Sequence, residues 1–216
     1  MSRRFEEGVE SAIESAGAVA GARPAIAVEY SLEQRQILLG IAHEAILSAV
    51  QGRAFLNAAP ATTALLEPRG VFTTLYLQCD GHRELRGCVG YAAPMVPLYR
   101  AVGETARAAA FDDSRFSPVT QEEALNLEVS LSVLSRLFPI HPEAVEVGRY
   151  GLVVTLGPRR GLLLPQVPVE QGWDREVFLE QTCRKAGLPV DAWRQGAGIE
   201  AFTAEVFADA DVAALG

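Results

Sequence analysis

From Leu32 to about Val50 the apolar residues Ile37, Leu38, Ile41, Ala45 and Ile46 recur three and four apart, the spacing that gives a helix one apolar face. Ser31-Leu32-Glu33-Gln34 supplies a capping box at its start, and Gly52 closes it. Residues 57–70, with Pro60 and Pro68, read as loop. The period then changes to two. Val71–Gln78 alternates and is rich in β-branched and aromatic residues, which predicts a strand. Asp80-Gly81 signals a hairpin, with His82-Arg83 lengthening the loop, and the return strand runs from about Glu84 to Tyr91. On it Leu85, Val89 and Tyr91 share one face, while Arg86, Cys88 and Gly90 share the other.

Pro94 and Pro97 interrupt the chain before an Ala-rich helix, Leu98–Phe111, whose small residues suit close packing on a sheet. Asp112–Pro118 is a charged loop, Thr120–Glu123 a second capping box, and Leu127–Leu134 an alternating strand. Leu152–Leu156 and Gly161–Leu164 read as strands around the turn Gly157-Pro158-Arg159-Arg160. Asp174 caps a helix reaching Ala186, where Gly187, Leu188 and Pro189 form a stop. Ile199–Phe207 is a final strand. Several strands meet through short turns without crossover helices, so the fold class is α+β with a largely antiparallel or mixed sheet flanked by helices.

Hydrophobic residues make up 49% of the chain, too many for a disordered protein. No apolar run reaches the roughly 18–20 residues of a membrane helix, and the acidic residues after Arg3 and Arg4 rule out a signal peptide there. Nineteen Lys and Arg against 27 Asp and Glu leave a net charge of −8, which argues against phosphate-driven nucleic-acid binding. Cys79, Cys88 and Cys183 form no CxxC pair, and with His43, His82 and His141 scattered no metal-ligand spacing appears. A reducing cytoplasm is the expected home, and no cofactor loop is present. Eighteen of the basic residues are Arg, so Lys185 stands alone. Codon bias explains that, or the position needs a compact charge that Arg does not provide.

Leu85-Arg86-Gly87-Cys88-Val89-Gly90 is the most unusual stretch. Two glycines weaken a strand unless another backbone or a ligand comes close, or the strand bends. Arg86 beside Cys88 would favour the thiolate; otherwise Cys88 is a small buried hydrophobe and Arg86 a surface charge. Six residues separate His82 from Cys88, ~20 Å of extended strand, which excludes a local Cys–His dyad. Asp113 and Arg115 either orient a substrate, brace each other or are simply solvated. Gln166, after the apolar run Gly161–Pro165, bonds loop backbone or a ligand.

Four blocks in order resemble the AMMECR-one domain family, whose bacterial members are called AmmeMemoRadiSam system protein A. They are LRGCVG at Leu85–Gly90, DSRFSP at Asp113–Pro118, RRGLLLPQV at Arg159–Val167 and FLEQTCRKAGL at Phe178–Leu188. The resemblance implies a two-lobed fold, the larger lobe built from both chain ends, over residues 31–208; residues 1–30, with the small residues Ala18–Ala22, fall outside the pattern and read as a flexible lead-in, and 209–216 as a tail. Arg86, Gly87, Cys88, Gly90, Asp113, Arg115, Gln166 and Lys185 occupy the family's motif positions, which it implies gather at an inter-lobe cleft. The family name implies a Memo-like protein and a radical SAM protein as partners. Two roles follow. The chain is an accessory or binding component with a small-molecule or peptide site, or it is an enzyme using Cys88 as nucleophile or redox thiol, with Arg86 stabilising its thiolate, on an anionic small substrate. Gly87, Gly90, Asp113, Arg115, Gln166 and Lys185 are then the ligand-binding candidates, with no metal and no cofactor.

Overall fold

The Ser31 hydroxyl accepts the Gln34 N–H at 3.3 Å while Gln34 Oε1 accepts the Ser31 N–H at 2.9 Å, so the first helix starts where its capping box puts it. The computed structural model describes residues 29–79 and 82–214. The Asp80-Gly81 turn and most of the expected lead-in lie outside the described residues. In chain order the elements are α1 (Leu32–Val50), β1 (Val71–Cys79), β2 (His82–Tyr91), α2 (Leu98–Phe111), α3 (Gln121–Ala124), β3 (Leu127–Leu134) and β4 (Phe138–Pro139). Then follow β5 (Gly151–Leu156), β6 (Arg159–Leu163), α4 (Gln166–Glu170), α5 (Arg175–Lys185), β7 (Gly198–Phe202), β8 (Ala204–Ala208) and α6 (Asp209–Ala213). The expected α+β class holds, with antiparallel pairs β1–β2, β1–β3, β4–β7, β5–β6 and β5–β7.

The chain divides into two units. An end-built unit takes described residues 29–134 and 205–214, and holds the sheet β2-β1-β3-β8. Its α1 and α2 pack together, and α2 lies against β1 and β2. Leu38, Ala42 and Ile46 of α1, Val102, Ala106 and Ala109 of α2, Leu75 of β1, Leu131 of β3 and Phe207 of β8 form one buried core. The helix face of α1 is centred on Leu38, Ala42, Ala45 and Ile46, with Ile37 and Ile41 only partly covered. Within that core Thr73 Oγ1 and Thr105 Oγ1 lie 2.8 Å apart, so the two hydroxyls satisfy each other between sheet and helix.

A buried carboxylate fastens the two ends of the chain. Glu205 on β8 accepts the N–H groups of Glu29 (2.6 Å) and Tyr30 (3.3 Å), and takes Arg35 Nε at 3.1 Å and Nη2 at 2.8 Å. Arg69, also buried, pairs with Glu29 and Glu67. Burial raises the Tyr30 phenol to about 12, against the pull of Arg69.

The mid-chain unit takes described residues 135–204 and holds the sheet β4-β7-β5-β6. Helix α5 packs on β5 and β6. It ends in a Schellman motif: Leu188 N–H donates to Cys183 O at 2.9 Å and Gly187 N–H to Arg184 O at 2.8 Å, with Gly187 at φ +70°. A Cβ at Gly161 would stand 2.2 Å from Ala186 N, so β6 meets the end of α5 backbone to backbone.

Several sequence expectations change. His82 and Arg83, expected to lengthen the hairpin loop, pair with Cys79 and Gln78, and Arg159 and Arg160, expected in a turn, pair with Leu156 and Thr155. The single final strand breaks at Thr203, whose N–H donates to Ser135 Oγ and whose carbonyl accepts the Ser135 N–H. The halves on either side of that break, β7 and β8, join different sheets. Also, the alternation expected of β2 is interrupted, because Leu75 pairs with Gly87 but Tyr76 with Leu85, which leaves Arg86 as the extra residue of a bulge.

Packing at Gly87 sets a sharp test. A Cβ there would stand 2.1 Å from Ala109 O, on helix backbone that cannot move aside. Gly87→Ala is expected to lower stability by about 3 kcal/mol. Gly40→Ala, on α1 with nothing within 4 Å, is expected to raise it by about 0.5–1 kcal/mol through helix propensity. Chemical denaturation of the two variants measures both. Glu205→Ala should cost about 3 kcal/mol in the same assay, because it leaves the half-buried Arg35 and the Glu29 and Tyr30 N–H groups without their carboxylate.

Candidate functional site

Strand β2 is the last strand of its sheet, so one row of its backbone groups faces away from β1. Four motif residues lie on it, Arg86, Gly87, Cys88 and Gly90. The bulge turns Arg86 toward α3, where Nε donates to Glu123 Oε1 at 2.8 Å and Nη2 to Glu123 Oε2 at 3.2 Å and to Pro118 O at 3.3 Å. Glu123 is the last member of the second capping box, so its carboxylate also accepts the Thr120 N–H at 2.8 Å. Those bonds, led by Arg86, hold its carboxyl at about 2 although desolvation opposes them.

Cys88 sits two residues further on and is buried. Its Sγ lies 3.2 Å from Thr74 Oγ1 on the neighbouring strand. Burial pushes its thiol up to about 11, against smaller opposing pulls from Thr74 and Arg115, while Asp113 adds to the rise. The sequence pairs Arg86 with this thiol by strand alternation; in the structure the bulge gives the guanidinium to Glu123 instead. Near neutral pH the group is a thiol.

The backbone N–H of Cys88 donates to Asp113 Oδ2 at 2.8 Å. Arg115 closes on the same carboxylate with Nε at 3.0 Å and Nη2 at 2.8 Å, and its own N–H reaches Oδ1 at 3.2 Å. Burial alone would raise the Asp113 carboxyl; the donors from Arg115 and Cys88 together bring it below its ordinary value. The Arg115 guanidinium also stacks 5.3 Å from the Phe116 ring centre. Asp113 and Arg115 therefore brace each other, and they brace the edge of β2 as well.

The glycines of the motif have packing partners. Gly87 faces the Ala109 carbonyl, and a Cβ at Gly90 would stand 2.2 Å from the Phe72 ring. Gln166 and Lys185 belong to the mid-chain unit, whereas Arg86, Gly87, Cys88, Gly90, Asp113 and Arg115 belong to the end-built one. Gln166 opens the short helix α4, where a loop was expected, and Lys185 is the last residue of α5. Beside Lys185, Cys183 is fully buried and burial raises its thiol too.

Sequence reasoning missed Glu123 and Thr74. Glu123 reads as a helix cap, and only the bulge brings Arg86 to it. Thr74 reads as an ordinary strand residue, and its pairing with Cys88 follows from the hairpin register. A shallow groove of 440 Å³ lies elsewhere in the end-built unit, lined by Gln36, Leu39, His43, Asp209 and Val212 and by none of the motif residues. There His43 Nε2 stands 2.9 Å from Asp209 Oδ2, and that oxygen also accepts the Val129 N–H. Among the described residues no cluster of three His, Cys, Asp or Glu side chains is arranged to hold a metal, and no helix is long and apolar enough to cross a membrane.

The sequence model of the AMMECR1 family matches residues 39–207. Protein MK0488 of Methanopyrus kandleri is 40% identical over 186 residues, covering 82% of this chain and 89% of its own length. Protein MJ0810 of Methanocaldococcus jannaschii is 46% identical over 153 residues, covering 67% and 75%. The crystal structure of the uncharacterized protein PH0010 from Pyrococcus horikoshii superposes with a TM-score of 0.61 at 42% identity, covering 79% of this chain and 89% of that one. With the family pattern spanning most of the chain and a solved relative sharing its fold, the protein belongs to the AMMECR1 family.

Proposed function

We infer that this chain is a binding component rather than a catalyst, and that it works beside a Memo-like protein and a radical SAM protein. The observation that carries this reading is the state of Cys88, the nucleophile of the LRGCVG block. Its thiol is buried and raised to about 11, so the neutral thiol prevails near neutral pH. Nor does a base stand ready. Thr74 is the thiol's hydrogen-bonding neighbour, and Asp113 is committed to Arg115 and to the Cys88 N–H. Arg86 and Arg115 each face a carboxylate of their own unit. The motif is thus a braced surface whose charges are set by pairing, a form suited to recognising a partner or a bound peptide or small molecule. The two partners are those that the family's AmmeMemoRadiSam name implies.

Co-purification tests the assignment. The tagged full chain, expressed with the Memo-like and radical SAM proteins of the same genome, is expected to retain at least one of them through gentle washing. Cys88→Ser and Cys88→Ala should retain it equally. A folded Cys88→Ser protein that still holds its partner yet loses all cellular function would establish the thiol as chemical machinery and overturn the reading.

A further inference from the structure

The outer edge of β2 is covered by the stretch of chain that leaves α2, and among the described residues no strand pairs beyond it. Asp113 takes the Cys88 N–H at 2.8 Å. Further along, the Pro118 carbonyl and the Glu123 carboxylate take the Arg86 guanidinium at 3.3 and 2.8 Å. The stretch is kept in shape by bonds of its own, Phe116 N–H to Asp113 O at 3.1 Å and Val119 N–H to Ala110 O at 2.9 Å. Its polar hold on β2 includes one carboxylate on a backbone N–H, one carboxylate on a guanidinium and one peptide carbonyl. Any acidic extended peptide carries the same three groups, and the free edge of a sheet is where extended peptides add.

Resting on the binding-component reading above, we propose that residues 112–123 are a built-in competitor for an acidic, extended segment of a partner protein. That segment docks on the edge of β2 by placing its carboxylates where those of Asp113 and Glu123 stand. Charge complementarity selects this occupant. Arg86 is 9% exposed, so a neutral or basic segment that displaced Glu123 would leave a buried guanidinium without a counter-charge. Arg115 acts as a positioning residue. Its two-pronged grip on Asp113 decides how readily the built-in carboxylate lets go of the Cys88 N–H.

The test supplies the strap in trans. A synthetic peptide with the sequence of residues 111–124 is titrated into the full-length Asp113→Ala/Glu123→Ala double variant, with the Cys88 amide resonance as the readout. Binding is expected to be at least tenfold tighter than that of the same peptide carrying Asn for Asp113 and Gln for Glu123. It should also be at least tenfold tighter than binding to the wild-type chain, whose own strap is in place. No binding to the variant, or equal binding of the two peptides, overturns the proposal. Should the double variant fail to fold, Asp113→Ala alone carries the same comparison. Hydrogen exchange on the wild-type chain adds an independent check: the Cys88 amide should exchange at least tenfold faster than that of Leu131 in the interior strand β3, through opening of the strap. Equal rates would mean that the strap never opens short of unfolding, and the proposal would fall. Peptide binding without co-purified partners would sink only the partner assignment; co-purification without peptide binding would sink only this mode of docking.

Discussion

The Asp113 carboxylate joins parts of the chain that would otherwise have no reason to meet. It accepts a backbone N–H from the edge of β2 and closes a bidentate pair with Arg115, both from a loop that follows α2. Burial makes a carboxylate costly, so the position is tenable only with all of these donors in place. The constraint runs in both directions. With its donors, Asp113 seals an edge that would otherwise present an unpaired N–H; without Asp113, Arg115 would lose the pair that orients it. The two charges of the DSRFSP block and the Cys88 N–H of the LRGCVG block meet in this one arrangement, with Arg86 and Glu123 as a second fastening a few residues away.

Close packing sets the frame within which those charges meet. In the end-built unit β2 touches the Ala109 carbonyl of α2 at Gly87; within the mid-chain unit β6 touches the backbone at the end of α5 at Gly161. Each contact joins two family blocks or a block and its helix through a position where no side chain fits. Burial also sets the state of Cys88. Its thiol, beside Thr74 on the sheet face opposite the one where Thr73 meets Thr105 of α2, loses solvation, and Arg115 is already shared with Asp113, so the neutral form prevails.

Much of the architecture was legible in the chain because local signals and tertiary packing agree. The capping boxes at Ser31 and Thr120, the two-residue period of β1 and β3, and the Gly187 stop all appear where their chemistry places them. What escaped is what local rules do not encode. The bulge at Arg86 exchanges the expected thiol neighbour for Glu123, and period-two alternation has no means of signalling one extra residue. The break at Thr203 depends on Ser135, 68 residues away, so Ile199–Phe207 read locally as one continuous strand. For the site, the motif residues were identified from sequence, but their pairings needed the fold. Asp113 with Arg115 was one of several open readings. That the two also cap Cys88 could come only from a loop folding back on a strand 25 residues earlier.

The protonation state of Cys88 bears most directly on the claim that this motif braces and binds without reacting. Carbon-13 chemical shifts of the Cys88 Cβ, followed against pH in the full-length chain, read that state without altering the protein. A flat response to pH 9.5, with a midpoint about 11, is the predicted result. A midpoint at or below ~8.5, the value of an unperturbed thiol, would contradict it and return Cys88 to the role of a nucleophile.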